Sequence, residues 1–211
     1  MNNSEVLLSE LLSSLDIPHE KIEENEENKV PDFEVRWEGK SSYWEVKGLD
    51  SNKDEKKIIR NIQNDEVQPY QVNSKRVKDS IKDASYQFEE HGVTGHPCIV
   101  VIYDNRDFSV MDFMLPNYIK SAVAGKPEVI YKNGTYRECK RYYEMLSPVR
   151  KTYISAVALL SPNGKKITFY HNPYTNNPLI DSRLMKLFSS HYQAIPTEQG
   201  LTWTEVQPTE D

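Results

Sequence analysis

The chain has little of what marks several protein classes. It holds only two cysteines, Cys98 and Cys139, without the spacing of a metal site or a disulfide framework. Both are expected as reduced thiols, and Cys98, inside an apolar run, as a small core residue. No stretch approaches the roughly 18 apolar residues of a membrane span. The N-terminus has no basic segment leading into an apolar one, so no secretory signal is expected and the expected compartment is the cytoplasm. Glycine is sparse, 8 of 211 residues, and forms no phosphate-cradling loop. A nucleotidyl transferase or phosphatase of that kind is therefore left without its motif. No internal repeat is present. Excess positive charge is missing as well. The net charge of −6 argues against a protein that coats nucleic acid indiscriminately. Many of the acids lie between Glu20 and Glu27, and any contact with nucleic acid must come from local basic patches.

What is present is enough for one sizeable core: 211 residues, 37% apolar and 27% charged. The most informative stretch runs from Val30 to Gly48. Phe33, Val35 and Trp37 alternate with Glu34, Arg36 and Glu38; Trp44 and Val46 alternate with Tyr43, Glu45 and Lys47. Alternation in two short runs broken by Gly39 predicts a β-hairpin. A two-residue turn at Gly39-Lys40 would pair Glu34 with Glu45 and Asp32 with Lys47. It gathers Phe33, Val35, Trp37, Trp44 and Val46 on one face, and Asp32, Glu45 and Lys47 on the other. Same-face neighbours along a strand lie about 6.6 Å apart. Facing residues across the pair have Cβ atoms about 5 Å apart. Two carboxylates and an ammonium so close suit a hard divalent cation, which takes oxygen ligands and often only one or two carboxylates. The bland alternative is an amphipathic hairpin with a solvated polar face.

Pro31-Asp32, twelve intervening residues and then Glu45-Val46-Lys47 resemble the motif of the PD-(D/E)XK, or restriction-endonuclease-like, nuclease superfamily. The resemblance implies an α/β fold, a single domain with a central mixed β-sheet flanked by helices. It implies a Mg²⁺-dependent phosphodiesterase, with Mn²⁺ as a substitute. Asp32, Glu45 and Val46 become its metal-site residues and Lys47 its catalytic lysine. The superfamily often adds a glutamate on its first helix, which Glu5 matches better than Glu10. It also carries a helix after the (D/E)-x-K strand, with an early basic residue and a late glutamine. Arg76 and Gln87 match these, with Lys75 and Lys78 as alternative phosphate contacts. The implied substrate is nucleic acid, DNA ahead of RNA. The implied associations are a homodimer, a protein that delivers the substrate, and no membrane. Two competitors remain open: a module of the same fold that binds without cleaving, and a scaffold whose hairpin acids are only surface.

The remaining elements follow in order. Ser4 to Leu15 reads as a helix capped by Ser4, with Leu8, Leu12 and Leu15 on one stripe, Leu11 beside it and Glu5 at its edge. Asp16 to Lys29 reads as a solvated acidic segment; the first core strand must lie within Glu20 to Val30, where its signal is poor. His19 is expected to be part of that surface. Lys53, Lys56, Lys57 and Arg60, interleaved with Ile58, Ile59 and Ile62 before Pro69, suggest a charged helix or loop. Ser74 to His91 is a strong helix, with Val77, Ile81, Ala84 and Phe88 on its buried stripe. Pro97 to Tyr103 is a strand buried on both faces. Asp112 to Ala124 reads as helical despite Pro116. Lys126 to Arg150 carries the turn signal Asn133-Gly134 and a mixed basic-aromatic run, Lys140 to Tyr143. It is expected as a partly buried loop or helix, or as a base-stacking surface. Tyr153 to Leu160 and Lys166 to Tyr170 flank Pro162-Asn163-Gly164 as a second hairpin, followed by a structural loop from His171 to Leu179. Ser182 to Tyr192 reads as a closing helix. The expected organisation is one domain over residues 1–195, with the motif region at 1–104, an extension at 105–195 and a mobile tail at 196–211.

Overall fold

The computed structural model describes residues 1–23, 29–53, 56–57, 60–61, 64, 74–106, 115–132, 135–142, 145–197 and 200–209. Helix α1 spans Asn3–Ser14 and buries Leu8, Leu11 and Leu12. Its cap is Asn2 rather than Ser4: Asn2 Oδ1 accepts the Glu5 backbone N–H at 3.0 Å, and Ser4 donates its hydroxyl to the same oxygen at 2.7 Å. Strand β1 is only His19–Lys21, which explains its poor signal. His19 is half-buried and makes two hydrogen-bonding contacts. Its Nδ1 lies 2.8 Å from the Ile17 carbonyl, an acceptor, so Nδ1 donates and Nε2 accepts from the Ser9 hydroxyl at 2.7 Å.

Strands β2, Phe33–Trp37, and β3, Lys40–Asp50, form the expected hairpin with a different turn. Trp37 pairs with Lys40, so the turn residues are Glu38 and Gly39, both at positive φ (47° and 73°). That is the type I′ pattern, whose twist matches the strands. The register moves by two residues: Glu34 faces Tyr43 rather than Glu45. A shift of two preserves side-chain parity, so both faces keep their expected membership.

Helix α2, Lys75–Glu90, buries Val77, Ile81, Ala84 and Phe88 as its spacing requires. Strand β4, Cys98–Asn105, is buried throughout except at its last residue. Helix α3 is described over Leu115–Ala124, with Pro116 inside it as the sequence reading has it. Residues 112–114 of that expected helix lie outside the described residues, as do Ile58, Ile59, Ile62, Pro69, Asn133-Gly134 and Tyr143. Strands β5, Lys126–Lys132, and β6, Thr135–Tyr142, pair as a separate two-stranded sheet, which corrects the expectation of a loop or helix. Strands β7, Ile154–Leu160, and β8, Ile167–His171, are the second hairpin. The closing helix is a single turn, α4, Arg183–Lys186, with Leu187 at its C-cap 50% exposed. The chain then forms β9, His191–Thr197, and β10, Gly200–Val206, an antiparallel pair; β9 starts within the expected helix and β10 lies in the expected tail, 196–211.

The fold is α/β. One eight-stranded mixed sheet has the order β1-β2-β3-β4-β7-β8-β9-β10. Strands β3, β4 and β7 are parallel at its centre, and β8 and β9 form a second parallel pair. Side-chain alternation divides β4 between two cores. Ile99, Val101 and Tyr103 join Leu8 and Leu12 of α1 and Leu184 and Met185 of α4. Cys98, Val100 and Ile102 join Ile81 and Phe88 of α2 and Ile119 of α3. The sheet is therefore covered on both faces, as a central parallel segment demands. Among the described residues, no helix is long and apolar enough to cross a membrane.

Candidate active site

The site lies where β2 begins, with α1 and β1 approaching from one side of the hairpin and α2 from the other. Phe33, Val35, Trp44 and Val46 anchor one face of the hairpin in the α1 core. Asp32 and Glu45 are consequently held at 6% and 3% exposure, and Glu5 at 8%. Buried carboxylates need hydrogen bonds or counter-ions, and each of these has them.

Asp32 and Glu45 clamp each other through the backbone. Asp32 Oδ2 accepts the Val46 N–H at 2.7 Å, and Glu45 Oε2 accepts the Asp32 N–H at 3.1 Å. One oxygen of each carboxylate is thereby fixed. The other oxygen of each meets an ammonium. Asp32 Oδ1 lies 2.6 Å from Lys21 Nζ, and Glu45 Oε1 lies 2.7 Å from Lys47 Nζ. Lys21 also pairs with Glu5 Oε2 at 2.9 Å, and Glu5 Oε1 accepts from the Asn2 side chain at 2.7 Å. Lys47 donates to Gln87 Oε1 at 2.5 Å, and the Gln87 amide donates to the Val30 carbonyl at 3.0 Å. The Gln87 orientation is therefore set, and with it that of the lysine.

Burial, reinforced by the charge of Asp32, holds the Glu45 carboxyl well above the usual carboxylate range, while Lys47 and Gln87 pull the other way. For Lys21, burial lowers the pKa. The hydrogen bonds and charges of Asp32 and Glu5 together outweigh it, so the net movement is upward. Displaced carboxyl and ammonium groups in one cluster are the pattern of a functional site, although structural ion-pair networks share it.

Of the residues singled out by sequence, the fold brings together Glu5, Asp32, Glu45, Lys47 and Gln87, and Val46 joins them through its backbone. Glu10 is exposed on the other side of α1. Arg76 donates to the Asp50 carbonyl at the end of β3 at 2.6 Å, and Lys75 pairs with Asp79 on its own helix at 2.6 Å. Lys78 is half-buried on the same first turn. Lys53, Lys56, Lys57 and Arg60 have helical backbone in a segment that is only partly described. Lys21 is the member that sequence reasoning missed. Its strand is three residues long, too short for alternation to register, and it adjoins an acidic run that reads as solvated.

Among the described residues, no group of three or more His, Cys, Asp or Glu side chains is arranged to hold a metal ion. Asp32 and Glu45 are joined through their backbone clamp, and Glu5 reaches Asp32 through Lys21. Comparison of the chain with protein-family models, with curated proteins and with solved structures gives no match.

Proposed function

We propose that the chain is a divalent-metal-dependent nuclease of the restriction-endonuclease-like type, hydrolysing phosphodiester bonds of nucleic acid, DNA ahead of RNA. The observation that carries this reading is the reciprocal clamp of Asp32 and Glu45. It fixes one oxygen of each carboxylate on a backbone N–H and presents the other to a cation. Two outward carboxylate oxygens suit Mg²⁺ or Mn²⁺, which completes its shell with water and phosphate. When bound, such an ion supplies Lewis-acid polarisation of the phosphodiester and a more acidic water.

The protein's own groups do the rest. The clamp holds both carboxylates without reorganisation, as preorganised electrostatics requires. Lys47, oriented by Gln87, offers its ammonium to negative charge developing on the phosphate. Glu5 supports Asp32 through Lys21. The preference for DNA rests on the family resemblance alone. A homodimer and a protein that delivers the substrate belong to the same expectation.

A second reading is a module of this fold that binds nucleic acid or protein without cleaving it. Both outward oxygens already carry an ammonium, so the cluster also works as a buried ion-pair network. Incubation of the purified protein with duplex, single-stranded and branched DNA and RNA separates the two. Cleavage in Mg²⁺ or Mn²⁺ that stops in EDTA supports the nuclease. Binding without cleavage under every condition supports the second reading.

A further inference from the structure

Lys21 belongs to no part of the motif, yet its ammonium sits where a cation would sit. It stands 2.6 Å from Asp32 Oδ1 and 2.9 Å from Glu5 Oε2. Both carboxylates are buried, whereas the lysine side chain retains 28% exposure. The ammonium thus reaches in from solvent on a flexible four-carbon stem. Its strand, β1, is the outermost of the sheet. Withdrawal of the side chain therefore leaves the pairing of the inner strands untouched.

The two oxygens of Asp32 have different duties. Oδ2 is fixed by the Val46 N–H, and Oδ1 is left for whichever cation is present. An ammonium and a divalent cation cannot both hold Oδ1 at contact distance, because like charges that close repel strongly. Lys47 is placed differently: it holds Glu45 and is itself tied to Gln87 on α2. Lys21 is held by two carboxylates of the site, and beyond them its ammonium lies 5.5 Å from the centre of the Phe33 ring, a contact without a hydrogen bond.

We propose that Lys21 is a resident counter-ion that a divalent cation displaces from Asp32 and Glu5, leaving its ammonium at the rim of the site for a phosphate oxygen of the substrate. This rests on the nuclease reading for the existence of the metal site, and it adds how that site is kept closed without metal. Three carboxyl groups, Glu5, Asp32 and Glu45, face two ammonium groups, Lys21 and Lys47, so the cluster has one more acid than base. Metal entry replaces the single positive charge at Asp32 and Glu5 with a double one.

The test is calorimetric titration of Mg²⁺ and Mn²⁺ into the wild type, Lys21→Met and Lys21→Gln. Removal of the competing ammonium removes the penalty of displacing it, and both variants should bind the ion about tenfold more tightly or better. In parallel, acetic anhydride labelling of the wild type, read by mass spectrometry, should modify Lys21 severalfold faster once Mg²⁺ is added. Wild-type binding with unchanged or weaker binding in the variants overturns the proposal and leaves the metal site standing. Should the variants not fold, labelling of the wild type decides: a Lys21 rate unmoved at saturating Mg²⁺ overturns it. Absence of binding in all three proteins overturns both the counter-ion role and the nuclease reading.

Discussion

Two buried polar clusters in this molecule solve the same problem in opposite ways. At the hairpin, the buried Glu5, Asp32 and Glu45 are paired with the partly exposed ammonium groups of Lys21 and Lys47. At the β8–β9 junction, His171 and His191 are buried together with no charge. His191 Nε2 lies 2.9 Å from the Phe188 carbonyl, so it donates there, and its Nδ1 then accepts from His171 Nε2 at 3.0 Å. Both rings stack on Phe169. Burial, with the neighbouring ring adding to it, pushes His171 down to about 3, and burial lowers His191 as well. The histidine pair follows the cheaper route of neutrality. The hairpin cluster retains opposed charges at a place where desolvation is costly. Charge kept against that cost asks for a use, and cation-assisted phosphodiester chemistry is one.

Mutation and pH can break this comparison. The largest effect is expected at the clamp. Asp32→Asn and Glu45→Gln each keep an oxygen for the backbone N–H they accept, so the fold should survive while Mg²⁺-dependent cleavage disappears. Circular dichroism beside a cleavage time course checks this, and near-normal turnover in either variant removes that residue from the site. Next comes Lys47→Ala, which should lower cleavage by about a hundredfold, the scale of one lost transition-state contact. Mg²⁺ affinity should be kept or improved, and Lys47→Arg should rescue poorly because a planar guanidinium does not replace a compact ammonium. Loss of metal binding together with activity would instead make Lys47 a structural partner of Glu45. A smaller loss, roughly ten- to a hundredfold, is expected for Glu5→Gln, the range for groups supporting a metal site. Glu10→Gln, on the exposed side of α1, serves as the silent control.

The smallest effect concerns the neutral pair and appears in stability. The unfolded chain protonates His171 near its ordinary 6.5, whereas the folded chain resists until about 3. Between those values the unfolded state binds more protons, so stability falls as the pH drops through 6.5 and continues to fall toward 3. The expected slope approaches about 1.4 kcal/mol per pH unit from this residue, read by urea unfolding at stepped pH. His171→Asn should flatten that slope. An unchanged slope in the variant would mean that the pair is protonated in the folded state.

Much of this arrangement is legible in the sequence, for reasons that differ by element. The two faces of the β2–β3 hairpin follow from alternation alone, and they survive the register error because a shift of two keeps parity. The turn itself is misread because it places Glu38, a non-glycine residue, at positive φ. Helix α2 is legible because its buried stripe is unbroken over Val77, Ile81, Ala84 and Phe88. The C-terminal region misleads. Leu184, Leu187 and Phe188 have helical spacing, yet the helix stops after one turn and the chain returns as β9 and β10. β9 is placed by parallel pairing with β8, a non-local contact that local periodicity does not carry, and β10 by pairing with β9. Within the site, residues on long periodic elements are found from spacing or motif. Lys21 is not, because its place comes from β1 docking beside β2.

The most direct test is a plasmid-cleavage time course with the wild-type protein, in Mg²⁺ and again with excess EDTA, beside Asp32→Asn from the same preparation. Nicked or linear DNA that accumulates only with wild type and Mg²⁺ is the predicted result. Equal cleavage by Asp32→Asn, or cleavage that persists in EDTA, would contradict the assignment of Asp32 and Glu45 as the cation-holding pair.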